Sequence, residues 1–126
     1  MDYAHMLCSV EGLDFIPDTP SAQAAIESVL GMLVSRLDAN TAWFMTQSLP
    51  PHLSYQKRRG HQRHITTIDI DSYLQGVRKQ FGFDARQAQV LINTILHDVK
   101  GFLSAEQIRQ VEQALPAEWA ALVEVV

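Results

Sequence analysis

Apolar residues recur at intervals of three and four positions in two separate stretches of this chain. This spacing places them on one side of an α-helix, and the second stripe is broad enough to pack on more than one side. The stripes comprise Ile26, Val29, Leu33 and Leu37 in the first stretch, and Leu91, Ile92, Ile95, Leu96, Val99 and Phe102 in the second. The pattern predicts two central helices.

The two stripes belong to a longer internal repeat. When the sequence is shifted by 66 positions, residues 25–53 fall on residues 91–119 without a gap, and the apolar positions agree almost throughout. Each copy also ends on a Leu-Pro pair, at Leu49-Pro50 and at Leu115-Pro116. The resemblance continues upstream only if a gap of a few residues is allowed. We therefore expect a duplicated fold.

Capping residues and helix breakers predict where the helices of both copies begin and end. In the second copy the predicted starts are Asp69 or Asp71, then Asp84 and Ser104, and the predicted stops are Gly82, Gly101 and Leu115-Pro116. In the first copy the predicted starts are Thr19, followed by Pro20 in the first turn, and Asp38 or Asn40, and the stop is Leu49-Pro50-Pro51. A short closing helix after Pro116 would bury Trp119 and Leu122.

These elements predict an all-α fold. The single β-like segment, residues 64–70, is expected to be at most a short extended connector. We expect one domain over residues 1–126, a helical bundle of two tandem three-helix repeats with pseudo-two-fold symmetry. The repeats cover residues 1–54 and 68–126, a basic connector covers 55–67, and short closing helices accompany about six main helices.

Composition and charge fit an ordinary globular protein. The hydrophobic content is 47%, the charged content is 19%, and the formal net charge is −4. Residues 53–64 carry four basic side chains and no acid, whereas the segments on either side are acidic. The acidic segments would oppose long-range attraction to a polyanion. One cysteine, no leader-like start and no long apolar run favour a cytoplasmic protein without a membrane segment.

Several stretches resemble a known family, the bacterial domain of unknown function 2267. They are DYAHMLCSV, LDANTAWFMTQSLPPHL, IDSYLQGV and LSAEQIRQVEQALPAEW, and together with the sequence between them they cover nearly the whole chain except the connector. The resemblance implies a compact helical fold from prokaryotes. It implies no activity, ligand or catalytic residue.

The connector contains the basic side chains Lys57, Arg58, Arg59 and Arg63. A polar segment of this kind, with a glycine, is typical of a solvated tether between two folded repeats, and we favour that interpretation. The alternative is weak, non-specific contact of these four residues with nucleic acid. No aromatic residue lies between them to stack on bases, so nucleic acid is the less favoured partner.

Candidate metal and catalytic residues are few. His52, His61 and His64 lack the further ligands that a zinc site needs, so we expect no metal and no cofactor. His97 and Asp98 are adjacent on a helix, point about 100° apart and cannot pair directly. We expect one of them to be exposed and the other to lie at a helix boundary. Cys8 has no catalytic setting, and we expect it to be a buried thiol.

Three large apolar residues in succession, Trp43, Phe44 and Met45, cannot all face one core from a single helix. In the second copy the positions of Trp43 and Phe44 are polar. Packing against the longer loop of the first copy would explain the two aromatics, and an exposed patch for a partner or for self-association is the alternative.

The sequence favours a non-enzymatic interaction module, a homodimer being one form of it. A small-ligand protein with a pocket between the repeats is a further alternative.

Overall fold

A computed structural model describes residues 2–50, 53 and 69–125 of the chain. In these residues it is all-helical and contains no strand, which confirms the predicted fold class. The helices are α1 (Tyr3–Glu11), α2 (Thr19–Ser35), α3 (Ala39–Thr46), α4 (Ile70–Phe81), α5 (Ala85–Phe102), α6 (Ala105–Ala114) and α7 (Ala117–Val125). The predicted connector 55–67 lies outside the described residues.

Six of the helices begin with the same local device, a short polar side chain that accepts a hydrogen bond from the backbone N–H three residues later. The capping residues are Asp2, Asp18, Asp38, Asp69, Asp84 and Ser104. At the predicted starts Asp84 and Ser104 the caps are full capping boxes, completed by Gln87 and Gln107. Such caps satisfy amide groups that the helix itself leaves without a partner.

Three predicted boundaries were wrong. α3 ends at Thr46, before the predicted stop at Leu49-Pro50-Pro51. The cap of α2 is Asp18 and not Thr19, because the Asp18 carboxylate accepts from the N–H of Ser21 at 2.9 Å. α5 continues through Gly101 to Phe102, and the extended backbone of Leu103 ends it. Gly82 does end α4 as predicted, since its φ of 72° is left-handed backbone that glycine adopts without strain.

The two long helices α2 and α5 lie at the centre of the bundle and pack against each other. α1 packs on both of them, and so does α4, while α3 packs on α6 and α6 packs on α7. Gly76 lies where α4 approaches α2, and a Cβ there would lie 3.1 Å from Cε of Met32, so the end of that flexible side chain would have to move by a small amount. Leu33 and Val99, which align in the sequence repeat, are both 2% exposed.

Buried side chains from all seven helices join in one hydrophobic cluster. At one end of it the ring of Tyr73 stacks on the ring of Trp119, with centroids 4.9 Å apart and an interplanar angle of 29°. The guanidinium carbon of Arg36 lies 5.8 Å from the centre of the Trp119 ring. The closing helix α7 therefore contributes a fully buried tryptophan to the core, as the sequence predicts.

Candidate functional site

The outer face of α3 carries the most exposed large apolar side chain of the described residues, Trp43, which is 54% exposed. Its neighbour Phe44 is half-buried and Met45 is fully buried, so the three consecutive residues diverge as the helix geometry requires. Asn40 and Gln47, one turn before and one turn after Trp43, are exposed on the same side of the helix. The face consists of a tryptophan flanked by two uncharged amides.

Polar contacts hold α3 in place beneath this face. The side chain of Gln107, on α6, donates from Nε2 to the carbonyl oxygen of Phe44 at 3.0 Å and also contacts the hydroxyl of Ser48 at 2.8 Å. At the start of α3, a hydrogen bond from the backbone N–H of Thr41 holds the pKa of Asp38 below its usual value. Trp43 is therefore displayed on a helix that is fixed at its start and along one side.

A second feature is an acidic cleft of about 490 Å³ where the starts of α4 and α7 meet α5. Asp69, Asp71 and Glu118 line it, together with Ile70, Gln89, Asn93, Ala121 and Leu122. All three acids lie at or next to helix N-termini, where the helix dipole stabilises negative charge. Hydrogen bonds from Ser72 lower the pKa of Asp69. Helix initiation accounts for these acids without a ligand.

A third feature is a basic cleft of about 360 Å³ at the end of α4. Among the described residues it is lined by Gln75, Arg78, Lys79, Gly82 and Phe83, none of which is a carboxylate. The ring of Phe83 is stacked on that of Phe81, with centroids 5.5 Å apart. The cleft therefore places two cationic side chains beside an aromatic ring.

Comparison with known proteins places most of the chain in one family. The model of the family described as "Uncharacterized conserved protein (DUF2267)" matches residues 3–122. The chain belongs to this family. No curated protein and no solved structure matches it. This match confirms the resemblance seen in the four sequence stretches. The family description names no activity.

The remaining predicted sites of the DUF2267 chain have mixed outcomes. Cys8 is exposed on α1, so the expectation of a buried thiol was wrong. His97 is exposed, but Asp98 is only 4% exposed and lies inside α5, not at a helix boundary. Oδ2 of Asp98 is buried and has no hydrogen-bond partner within residues 2–50, 53 and 69–125. The adjacent pair is split between solvent and core, which does not suit an acid–base couple.

The basic side chains and the histidines considered in the sequence analysis lie outside the described residues. Lys57, Arg58, Arg59 and Arg63 are not among the described residues, and neither are His52, His61 and His64. Within residues 2–50, 53 and 69–125 of the DUF2267 chain, no group of three or more His, Cys, Asp or Glu side chains could hold a metal ion. Over the same residues, no helix combines the length and apolar character needed to cross a bilayer.

Sequence reasoning missed both clefts. The pocket considered as an alternative would lie between the two repeats, whereas the acidic and basic clefts are each lined by residues between Asp69 and Leu122. One signal for the basic cleft is present in the sequence. Arg78 and Lys79 come one turn before a helix-ending glycine, and the phenylalanine that follows Gly82 returns toward them.

Proposed function

We propose that this chain is a non-enzymatic interaction module in which the α3 face, defined by Asn40, Trp43 and Gln47, binds a second copy of the same chain. The observation that carries the proposal is the 54% exposure of Trp43. An exposed tryptophan on a well-fixed helix loses little conformational freedom on binding and buries a large apolar area, and tryptophan is enriched in interface hot spots.

The lack of charge on α3 makes this face compatible with a second copy as the occupant. The chain has a formal net charge of −4, so two copies repel each other on the whole, and an uncharged face is where that repulsion is weakest. Of the seven described helices, α3 alone contains no Asp, Glu, Lys or Arg. Two copies can therefore meet through α3 without desolvating a charged side chain of that helix. In a symmetric dimer the same face would be used on both sides.

The proposal includes a duplicated architecture with pseudo-two-fold symmetry, made of repeats 1–54 and 68–126. The spacing of the helix caps supports it: Asp2 and Asp69 are 67 positions apart, and Asp18 and Asp84 are 66 apart. The helix contacts are also reciprocal, because α1 packs on α5 while α4 packs on α2. A reducing cytoplasm would suit the exposed thiol of Cys8.

Sedimentation velocity over a range of protein concentrations tests the proposal. We expect the parent chain to shift toward a dimer as its concentration rises, and Trp43→Gln to remain monomeric with an unchanged circular dichroism spectrum. Gln110→Ala, on the exposed face of α6, is the control and should dimerise like the parent. A parent that stays monomeric, or a Trp43→Gln variant that dimerises as well as the parent, would contradict the proposal.

A further inference from the structure

The basic cleft at the end of α4 contains a half-buried arginine that helix geometry does not explain. Cations are favoured in the last turn of a helix because the dipole is negative there, which accounts for the presence of Arg78 and Lys79. It does not account for Nε of Arg78, which is buried and has no hydrogen-bond partner among the described residues. Because this atom has almost no exposed surface, a ligand in the cleft would contact other atoms of the Arg78 side chain.

The backbone around the cleft is held in one conformation. The carbonyl oxygen of Arg78 accepts from the N–H of Gly82 at 2.8 Å and from the N–H of Phe83 at 3.1 Å. With the left-handed φ of Gly82, this double hydrogen bond closes the helix and turns the chain back on itself. The position of the Phe83 backbone is thereby tied to that of Arg78.

The ring of Phe83, which lines the cleft, is also held in place by neighbouring aromatic rings. Phe83 stacks on Phe81 at an interplanar angle of 17°, and the rings of Phe83 and Phe15 form an edge-to-face pair with centroids 4.9 Å apart at an angle of 73°. All three phenylalanines are half-buried, and the remaining surface of Phe83 lines the cleft. A flat ring held in this way can stack on a planar group without a large loss of side-chain freedom.

From these contacts we infer that the basic cleft binds a phosphorylated ligand that carries a planar ring, of the size of a mononucleotide. Arg78 binds phosphate oxygens through its planar fork of donors, Lys79 adds a point charge, and Phe83 stacks on the ring. The amide of Gln75 offers both a donor and an acceptor to the ring edge. The volume of about 360 Å³ lies within the usual range for small-ligand sites. This inference does not depend on the α3 interface.

Titration of the full-length chain with adenosine monophosphate, followed by amide NMR shifts and by calorimetry, tests the inference. Inorganic phosphate and adenosine are titrated separately, to divide the contribution of the anion from that of the ring. We expect the nucleotide to bind more tightly than either part alone, with the largest shifts at Gln75, Gly82 and Phe83. No saturable binding at millimolar nucleotide, or shifts centred elsewhere, would overturn the inference.

Substitutions in and outside the basic cleft test the inference further. Arg78→Gln and Lys79→Gln should each weaken nucleotide binding by about tenfold or more, because each removes a charge-assisted contact to phosphate. Arg86→Gln, an exposed residue of α5 outside the cleft, removes the same formal charge and should leave the affinity unchanged. Because Lys79 is exposed, its variant tests the site even if Arg78→Gln folds poorly. If Arg86→Gln weakens nucleotide binding as much as the cleft variants do, the loss of affinity comes from the change in net charge, and the inference is overturned.

A further comparison separates a mononucleotide from a nucleic-acid strand. A single-stranded oligonucleotide is titrated beside adenosine monophosphate into the parent and into Phe83→Leu. For a mononucleotide site, the affinity of the monophosphate should fall in Phe83→Leu toward that of inorganic phosphate. Binding of the oligonucleotide without binding of the monophosphate would mean that the cleft serves an extended strand, contrary to the inference.

Discussion

The hydroxyl group of Tyr73, on α4, donates a hydrogen bond to the carbonyl oxygen of Val29, on α2, at 2.9 Å. Both residues are fully buried, and they come from opposite halves of the chain. The Tyr73 ring also stacks on Trp119, so one side chain joins α2, α4 and α7. The contact joins the second half of the chain to the first through a buried hydrogen bond.

Replacing Tyr73 by Phe should lower the free energy of unfolding by about 1 kcal/mol, because it removes one buried hydrogen bond and keeps the ring. Replacing it by Ala should cost about 3–5 kcal/mol, since the stacked ring is lost and a cavity remains. Urea denaturation measures both values. If Tyr73→Phe is as stable as the parent, the hydrogen bond to Val29 contributes nothing to stability.

The same residue predicts a dependence on alkaline pH. Burial raises the pKa of Tyr73 far above its ordinary value of 10.0. The unfolded chain therefore loses this proton above about pH 10 while the folded chain keeps it, and stability falls by about 1.4 kcal/mol per pH unit there. Below the unfolded pKa the contribution is constant. Denaturation curves at rising pH should show a smaller alkaline loss for Tyr73→Phe than for the parent.

How far these features could be predicted depends on how local they are. The helices α2 and α5 and most of their caps follow from spacings of three or four residues, which the sequence displays directly. Cys8 was wrongly expected to be buried. The buried residues Met6 and Val10 lie on one side of α1, and a helical wheel places Cys8 on the opposite side. Which of two adjacent residues, His97 or Asp98, faces the core depends on how other helices pack on α5.

The clefts were beyond prediction for a related reason. Phe15 meets Phe83 across most of the length of the chain, and the acidic cleft joins the starts of α4 and α7, which are distant in sequence. Hydrophobic periodicity reports which side of each helix is buried, but it does not report which helix ends meet. Only the tertiary packing brings these polar groups together.

Asp98 offers a second stability test, because a buried carboxylate oxygen without a hydrogen-bond partner destabilises the folded state. Methionine occupies position 32, which aligns with Asp98 in the sequence repeat. Asp98→Met should therefore raise the free energy of unfolding by about 1–3 kcal/mol. Gln113→Met, at an exposed position of α6, is the control and should change it little. A clear loss of stability in Asp98→Met would mean that the carboxylate is well solvated or bonded in the fold.

Leu33 and Val99 provide a test of the sequence alignment between the two halves. Both are almost completely buried. Leu33→Ala should lower the free energy of unfolding by about 2–4 kcal/mol, and Val99→Ala by somewhat less because fewer carbon atoms are removed. Chemical denaturation of the two single variants measures these values. A cost near zero at either position would mean that it does not contribute to the core as the alignment predicts.

The basic connector gives the last prediction. If its role is that of a solvated tether, replacing Lys57, Arg58, Arg59 and Arg63 with Gln should leave the fold intact, although removing four positive charges moves the formal net charge from −4 to −8. Surface substitutions usually change stability by no more than about 0.5 kcal/mol each, and relief of repulsion within the run offsets part of any lost attraction to the acidic segments. We expect unchanged helicity and a melting temperature within several degrees of the parent.

Stability cannot separate a tether from a nucleic-acid contact, because both predict an intact fold. Gel shifts with RNA and DNA at two salt concentrations can. A tether predicts no measurable affinity near physiological salt for either the parent or the quadruple variant. Four phosphate contacts would instead give a logarithmic salt slope near −3.6 on duplex DNA, at roughly 0.9 per contact. Micromolar binding by the parent with a slope of that size, lost in the variant, would make the connector a polyanion-binding segment and the tether interpretation wrong.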